Sequence, residues 1–280
     1  MKIFDCHNDF LTELKSEKKI NGYLSKINDE TKIISAVWST RLSENEAFDY
    51  LNLANGLKEK FNKTIVSVED CHFIDELNLE NFIQISPFSA GLVWNEDNAL
   101  GGGAYGFSGL TNWGEIVTKK FEENNIIIDL AHANEKTFFD VSRISNRALF
   151  CSHTACFGVK NHPRNLKDYQ VKMIVESGGF VGLALVSEFL TENKKATIND
   201  ICEHIVYFAS KFGVDNLGFG TDFFGTENLP IGIKTYNDFS KLASKLTKIG
   251  FTNEEINKLF HKNFENFILK ADANFPKGID

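Results

Sequence analysis

Proline is scarce, with 4 in 280 residues, and no repeat or low-complexity tract interrupts the chain. Nothing in the composition marks an interdomain linker, so one domain is expected. Long apolar runs are missing too. All stop far short of the roughly 18 residues a membrane helix needs, and the start lacks a charged-then-apolar leader. A cytoplasmic protein with no membrane partner is the expectation. Positive charge is in deficit, with 30 Lys+Arg against 38 Asp+Glu, a net charge of -8 and a pI near 5.5. A nucleic-acid or anionic-membrane partner would need a basic face, which leaves a small soluble molecule as the expected partner. The 5 cysteines are odd in number and form no Cys-x-x-Cys pair, which argues against a disulfide framework or a zinc ribbon. Cys6, Cys71 and Cys151 fall in or beside predicted strands, where a small buried hydrophobe is expected.

What is present is alternation. Eight short apolar runs recur: Lys2–Cys6, Lys32–Trp38, Thr64–Val68, Ser89–Trp94, Ile126–Ala131, Ala148–Ser152, Phe180–Val186 and Asn216–Gly220. Between them lie segments with apolar residues three and four apart, such as Ala47, Leu51, Leu53, Ala54 and Leu57. That pattern predicts parallel strands with crossover helices, and eight such units closing on themselves make a (β/α)8 TIM-type barrel over residues 1–280. Asn95 to Leu110 is too rich in glycine for helix and lacks the Lys-Ser/Thr ending of a phosphate-cradling loop, so a long loop over the barrel mouth is expected. Thr252 and Glu255 form a capping box that opens a C-terminal helical extension over about 252–270, expected to serve packing.

In such barrels the chemistry sits at the carboxyl ends of the strands. His7 and Asp9 follow the first run, two positions apart and so on one face of a strand. Glu69 follows the third run, His132 the fifth, His153 the sixth and Asp222 the eighth. His72, His204 and His261 fall on predicted helices or helix starts and are expected to be ordinary surface or core residues. Three imidazoles and three carboxylates exceed one tetrahedral zinc site but suit two ions sharing a carboxylate, with Glu69 as the bridge. Mixed nitrogen and oxygen ligands without thiolate fit two Zn2+ per chain first, with Mn2+ or Fe2+ as alternatives. Cys6 and Cys151 are expected to alternate away from His7 toward the helix layer, which excludes them as ligands.

The residues resemble those of a family. Phe4-Asp-Cys-His-Asn-Asp-Phe10 is similar to the Asp-x-His-Asn-Asp-Leu start of the membrane (renal-type) dipeptidases, peptidase family M19. The likeness continues through Gly109-Leu-Thr-Asn-Trp-Gly114, Ile128-Asp-Leu-Ala-His132, Ser152-His-Thr154, His162-Pro-Arg-Asn165 and Gly218-Phe-Gly-Thr-Asp-Phe-Phe-Gly225. It implies a (β/α)8 barrel with a binuclear zinc site and hydrolysis of free dipeptides, with a D-residue tolerated at the carboxyl end. His7 and Asp9 would hold the first zinc, Glu69 would bridge, and His132 with His153 would complete the second. Asp222 would take a proton from the bridging hydroxide and pass it to the leaving amine. Arg164, flanked by Asn165, would grip the substrate carboxylate with its planar fork. A homodimer is left open.

Two positions depart from the family pattern. Trp94 stands where members often carry a histidine able to stabilise the oxyanion, and its indole N–H can donate only one hydrogen bond. Phe189 stands where members can bring a tyrosine toward the substrate carboxylate. Both bear on rate and substrate preference rather than on metal binding. Two rival readings are a related amidohydrolase-type barrel acting on another amide or ester, and a metal-binding barrel without catalysis. The second would be free to lose Asp222 and Arg164, and both are present.

Overall fold

The computed structural model describes residues 1–60 and 63–271, with the backbone alone at 58–60. Positions 61–62 and 272–280 of the expected domain lie outside the described residues. Eight parallel strands pair in chain order. They are β1 (Ile3–Asn8), β2 (Thr31–Trp38), β3 (Thr64–Glu69), β4 (Ser89–Gly91), β5 (Ile127–Asp129), β6 (Phe150–Thr154), β7 (Phe180–Leu183) and β8 (Leu217–Phe219). The barrel closes where Asp5 of β1 stands opposite Phe219 of β8. The sequence therefore locates all eight strands, but β4, β5, β7 and β8 end earlier than their apolar runs. Beyond those points the backbone bends to build the mouth.

Alternation along the strands separates the interior from the helix layer. On β3, Val66 and Val68 join the large cluster shared with the outer helices, while Ile65 faces the barrel axis. Glu69, four residues above Ile65, comes up on that inner face at the mouth. Trp38 stands in the same relation to Ile34 on β2. The helix Glu44–Lys60 buries Ala47, Leu51, Ala54 and Leu57 of the stripe its spacing predicts, and half-buries the fifth member, Leu53.

The floor is aromatic. Phe4, Phe88, Phe150 and Phe180 meet Phe264 and Phe267, which the final helix (Asn263–Ala271) inserts from below. Phe264 packs edge-on against Phe4 with ring centroids 4.8 Å apart. The capping box forms as expected, Thr252 N–H donating to Glu255 Oε2 at 2.8 Å and Glu255 N–H to Thr252 Oγ1 at 3.2 Å. The segment it opens packs first on the outer cluster, through Ile256, Leu259 and Phe260, and then inside the barrel, through Phe264 and Phe267.

The glycine-rich stretch is an irregular loop between β4 and the helix Asn112–Glu123. It is tightly folded: a Cβ on Gly102 would stand 2.1 Å from the carbonyl oxygen of Ser108. Only glycine permits that approach. Its Tyr105 reaches the cavity over the mouth.

Candidate metal centre

Two bulges aim the histidines. Between Asp5 and Asn8 the register of β1 against β2 shifts, three steps on one strand matching two on the other. The same happens on β6 between Cys151 and Thr154, against β7. A bulge puts consecutive residues on nearly the same side of a strand. His7 thus turns inward although Cys6 already points inward, and His153 turns inward beside Ser152. The expectation for Cys6 is corrected here. Its thiol lies inside the barrel, donating to the carbonyl of Ser152 at 3.0 Å among Phe4, Phe150 and Phe180. Strict alternation fails at the bulge. Cys151 does belong to the outer cluster.

The other two ends are made by strained turns. His132 and Asp222 each lie three residues past a strand, with φ of 66° and 59°. Asp129, the last residue of β5, accepts from the backbone N–H of Ala131 at 3.0 Å and of Ser152 at 2.9 Å. It thereby ties the loop carrying His132 to the strand carrying His153.

The result is one buried cluster. His7 Nε2 lies 3.3 Å from Asp9 Oδ2 and 3.9 Å from Glu69 Oε2. Glu69 Oε1 lies 2.7 Å from His132 Nε2 and 3.5 Å from His153 Nε2. Three groups could each hold a cation: His7, Asp9 and Glu69; Glu69, His132 and His153; and His7, Asp129 and His153. His7 Nε2 and both Asp9 carboxylate oxygens are buried without a hydrogen-bond partner. Buried orphans of that kind are costly unless something binds them, and nitrogen and oxygen donors this close suit divalent cations.

The electrostatics point the same way. Burial, then the Asp9 charge, pushes Glu69 well above the usual carboxylate range. Burial disfavours a charged His7, but Asp9 and Glu69 outweigh it and raise its pKa to about 10. The cluster attracts positive charge. Burial and the neighbouring Arg164 and His7 charges hold His132 and His153 well below their ordinary value, in the neutral form a ligand requires.

Arg164 is buried beside the cluster. Its Nε lies 3.0 Å from His132 Nδ1, which also faces Asn95 Oδ1 at 3.0 Å; its guanidinium carbon lies 5.2 Å from the Phe189 ring centre, and its Nη2 has no partner. Trp94 stacks on His132 at 5.6 Å and 30°, and meets Trp38 at 5.6 Å. Asn165 is not brought into this cavity. Its amide nitrogen donates to the carbonyls of Lys160 (2.9 Å) and Phe189 (2.8 Å), which braces the Arg164 loop, while its Oδ1 is buried without a partner. Sequence reasoning overlooked Ser152, whose Oγ lies 2.8 Å from His153 Nδ1 and 3.4 Å from His7 Nδ1. It also overlooked Asp129 and Trp38. Inward alternation from Ile34 was the available signal for Trp38.

A closed (β/α)8 barrel with metal-binding side chains gathered at its mouth is the architecture of metal-dependent hydrolases. The sequence model of the membrane dipeptidases, peptidase family M19, matches residues 21–274, and the chain belongs to that family of metal-dependent dipeptidases. The match begins beyond His7 and Asp9 and includes Glu69, His132, His153, Arg164 and Asp222.

Solved structures with a similar fold include an M19 metallopeptidase named dipeptidase AC (TM-score 0.84, 23% identity, covering 97% of this chain and 98% of that one). A metallopeptidase from Rhodobacter sphaeroides, bound to a phosphinate mimic of the dipeptide L-Ala-D-Ala, is similar at TM-score 0.84 and 22% identity, over 97% and 99% of the two chains. A zinc-bound amidohydrolase from Burkholderia multivorans is more distant, at TM-score 0.61 and 11% identity over 98% and 100%. At these identities the likeness concerns the fold. No helix among the described residues is long and apolar enough to cross a membrane.

Proposed function

We propose that the chain hydrolyses free dipeptides using two divalent cations, zinc in the first instance. His7 and Asp9 would hold one, His132 and His153 the other, and Glu69 would lie between them. The observation that carries this reading is the division of Glu69: Oε1 lies 2.7 Å from His132, whereas Oε2 faces His7 at 3.9 Å. Bound there, two cations would supply an acidified water and polarisation of the scissile carbonyl. Arg164 binds the substrate carboxylate through its unpartnered Nη2 and orients the amide over the cluster. Asp222, at the edge of the same cavity, takes a proton from the attacking water at a carboxylate oxygen and returns it to the leaving amine nitrogen. Trp94 walls the cavity and keeps bulk water from His132. A D-residue at the carboxyl end belongs to the reading, supported by the dipeptide mimic seen in the Rhodobacter relative.

Elemental analysis after zinc reconstitution should find two equivalents per chain, and one or none would sink the two-ion reading. On L,L and L,D dipeptides and their C-terminal amides, the wild type should strongly prefer the free acid. Arg164→Ala should lose about 10- to 150-fold in kcat/KM on the acid, and with it that preference. Equal wild-type rates on acid and amide would transfer the reading to another class of amide hydrolase.

A further inference from the structure

A second, larger cavity adjoins the metal cluster. It measures ≈ 990 Å³, against ≈ 270 Å³ for the space over the ligands. Trp38, Gly225 and Thr226 line both, so the two spaces meet there. Gly225 is the sill between them. A Cβ at that position would stand 2.0 Å from Asp222 Oδ1 and 2.4 Å from Asp9 Oδ2, so the crossing carries no side chain.

The order of strands gives a direction. Arg164 follows β6 and Trp38 ends β2, which places them on opposite sides of an eight-stranded ring. A dipeptide with its carboxylate on Arg164 and its amide over Glu69 directs its amino-terminal residue toward Trp38 and the larger cavity. The wall nearest the sill is made of Tyr23, Phe223, Phe224, Leu229 and Tyr236, and the cavity runs on to Met1, Ile3 and Thr31 at the amino ends of β1 and β2. Charge around the cavity is nearly balanced, with Lys26, Arg41 and Lys234 against Glu13 and Glu227. Apolar and aromatic surface therefore sets the preference. Pockets for whole small ligands span roughly 300–1,000 Å³, so this one is far more than an alanine methyl would fill.

We propose that this cavity receives the substrate's amino-terminal side chain and selects large aromatic or long aliphatic ones. The proposal rests on the dipeptidase reading and adds the side of the bond on which selectivity lies. The test is kcat/KM for Phe-Ala, Leu-Ala and Ala-Ala on the zinc-reconstituted enzyme. Phe-Ala should exceed Ala-Ala by about 10- to 100-fold, the usual range for filling an apolar pocket. Leu229→Trp and Ser240→Trp, which fill the cavity away from the metal cluster, should each lower that ratio by about tenfold. Preference at the carboxyl-terminal residue should not move in either variant. A ratio taken within one preparation does not depend on the fraction folded. A wild-type ratio near one, or a ratio unchanged in both variants, overturns the pocket and leaves dipeptide hydrolysis standing. Absence of turnover on every dipeptide overturns both.

Discussion

His132 and Asp222 hold left-handed backbone conformations that cost a non-glycine residue about 1–3 kcal/mol, and both line the cavity of the candidate site. The kink turns each side chain back over the mouth from a loop already past its strand. For Asp222, burial and then the Asp9 carboxylate raise its pKa, while His7 opposes the shift. A carboxyl poised above its ordinary range is suited to hold a proton between attack and departure. Asp222→Asn should keep the metals, by elemental analysis, and lower kcat by about 10²–10⁴. Wild-type turnover in that variant would remove Asp222 from proton transfer. That Glu69, His132 and His153 come together, with Asp222 lining the same cavity, was legible because ligand-type residues closing apolar runs are rare by chance. The inward turn of Cys6 was not, since a bulge depends on the neighbouring strand's register and leaves no local mark in the sequence. Ser152 escaped for a related reason: besides its neighbour His153, its hydroxyl reaches His7, 145 residues away, and only the fold brings the two together.

Helix Ile198–Phe212 illustrates how an element can carry an ionisable group for structure alone. His204 is fully buried, its Nδ1 accepting from the Cys156 backbone N–H at 3.0 Å, which leaves Nε2 to donate to the Leu190 carbonyl at 3.1 Å. The sequence expectation of an ordinary core or surface histidine agrees with this. Burial lowers its pKa to about 4. An unfolded histidine titrates near 6.5, so as pH falls the unfolded chain takes up the proton first. The contribution is fully present above about pH 6.5 and is gone near pH 4, a change of about 3 kcal/mol. Denaturation at several pH values should show this loss in the wild type and a flatter dependence in His204→Gln. Equal slopes would assign the acid sensitivity elsewhere. At this scale strand positions were readable from apolar runs, yet their ends were not. Leu92 and Val93 are as apolar as the strand before them and still belong to the mouth, because their burial comes from loop packing and not from pairing.

For the whole molecule, the aromatic floor is the feature on which closure depends. Phe264 touches Phe4, Phe88, Phe150 and Phe180, four strands' worth of interior. Phe264→Ala should cost about 3–5 kcal/mol, read as a lower urea midpoint at an unchanged slope. A loss below about 1 kcal/mol would mean the floor collapses around the gap. The same contact also bears on time. Phe4 and Phe264 lie at opposite ends of the described chain, and β1 finds its second neighbour only when Phe219 arrives. Synthesis proceeds from the amino end at about 5–20 residues per second, so His7, Asp9 and the first phenylalanines wait exposed while the rest is made. Contacts so distant in sequence form slowly. The barrel's first strand therefore gains its second neighbour and its floor only once β8 and Phe264 have been made.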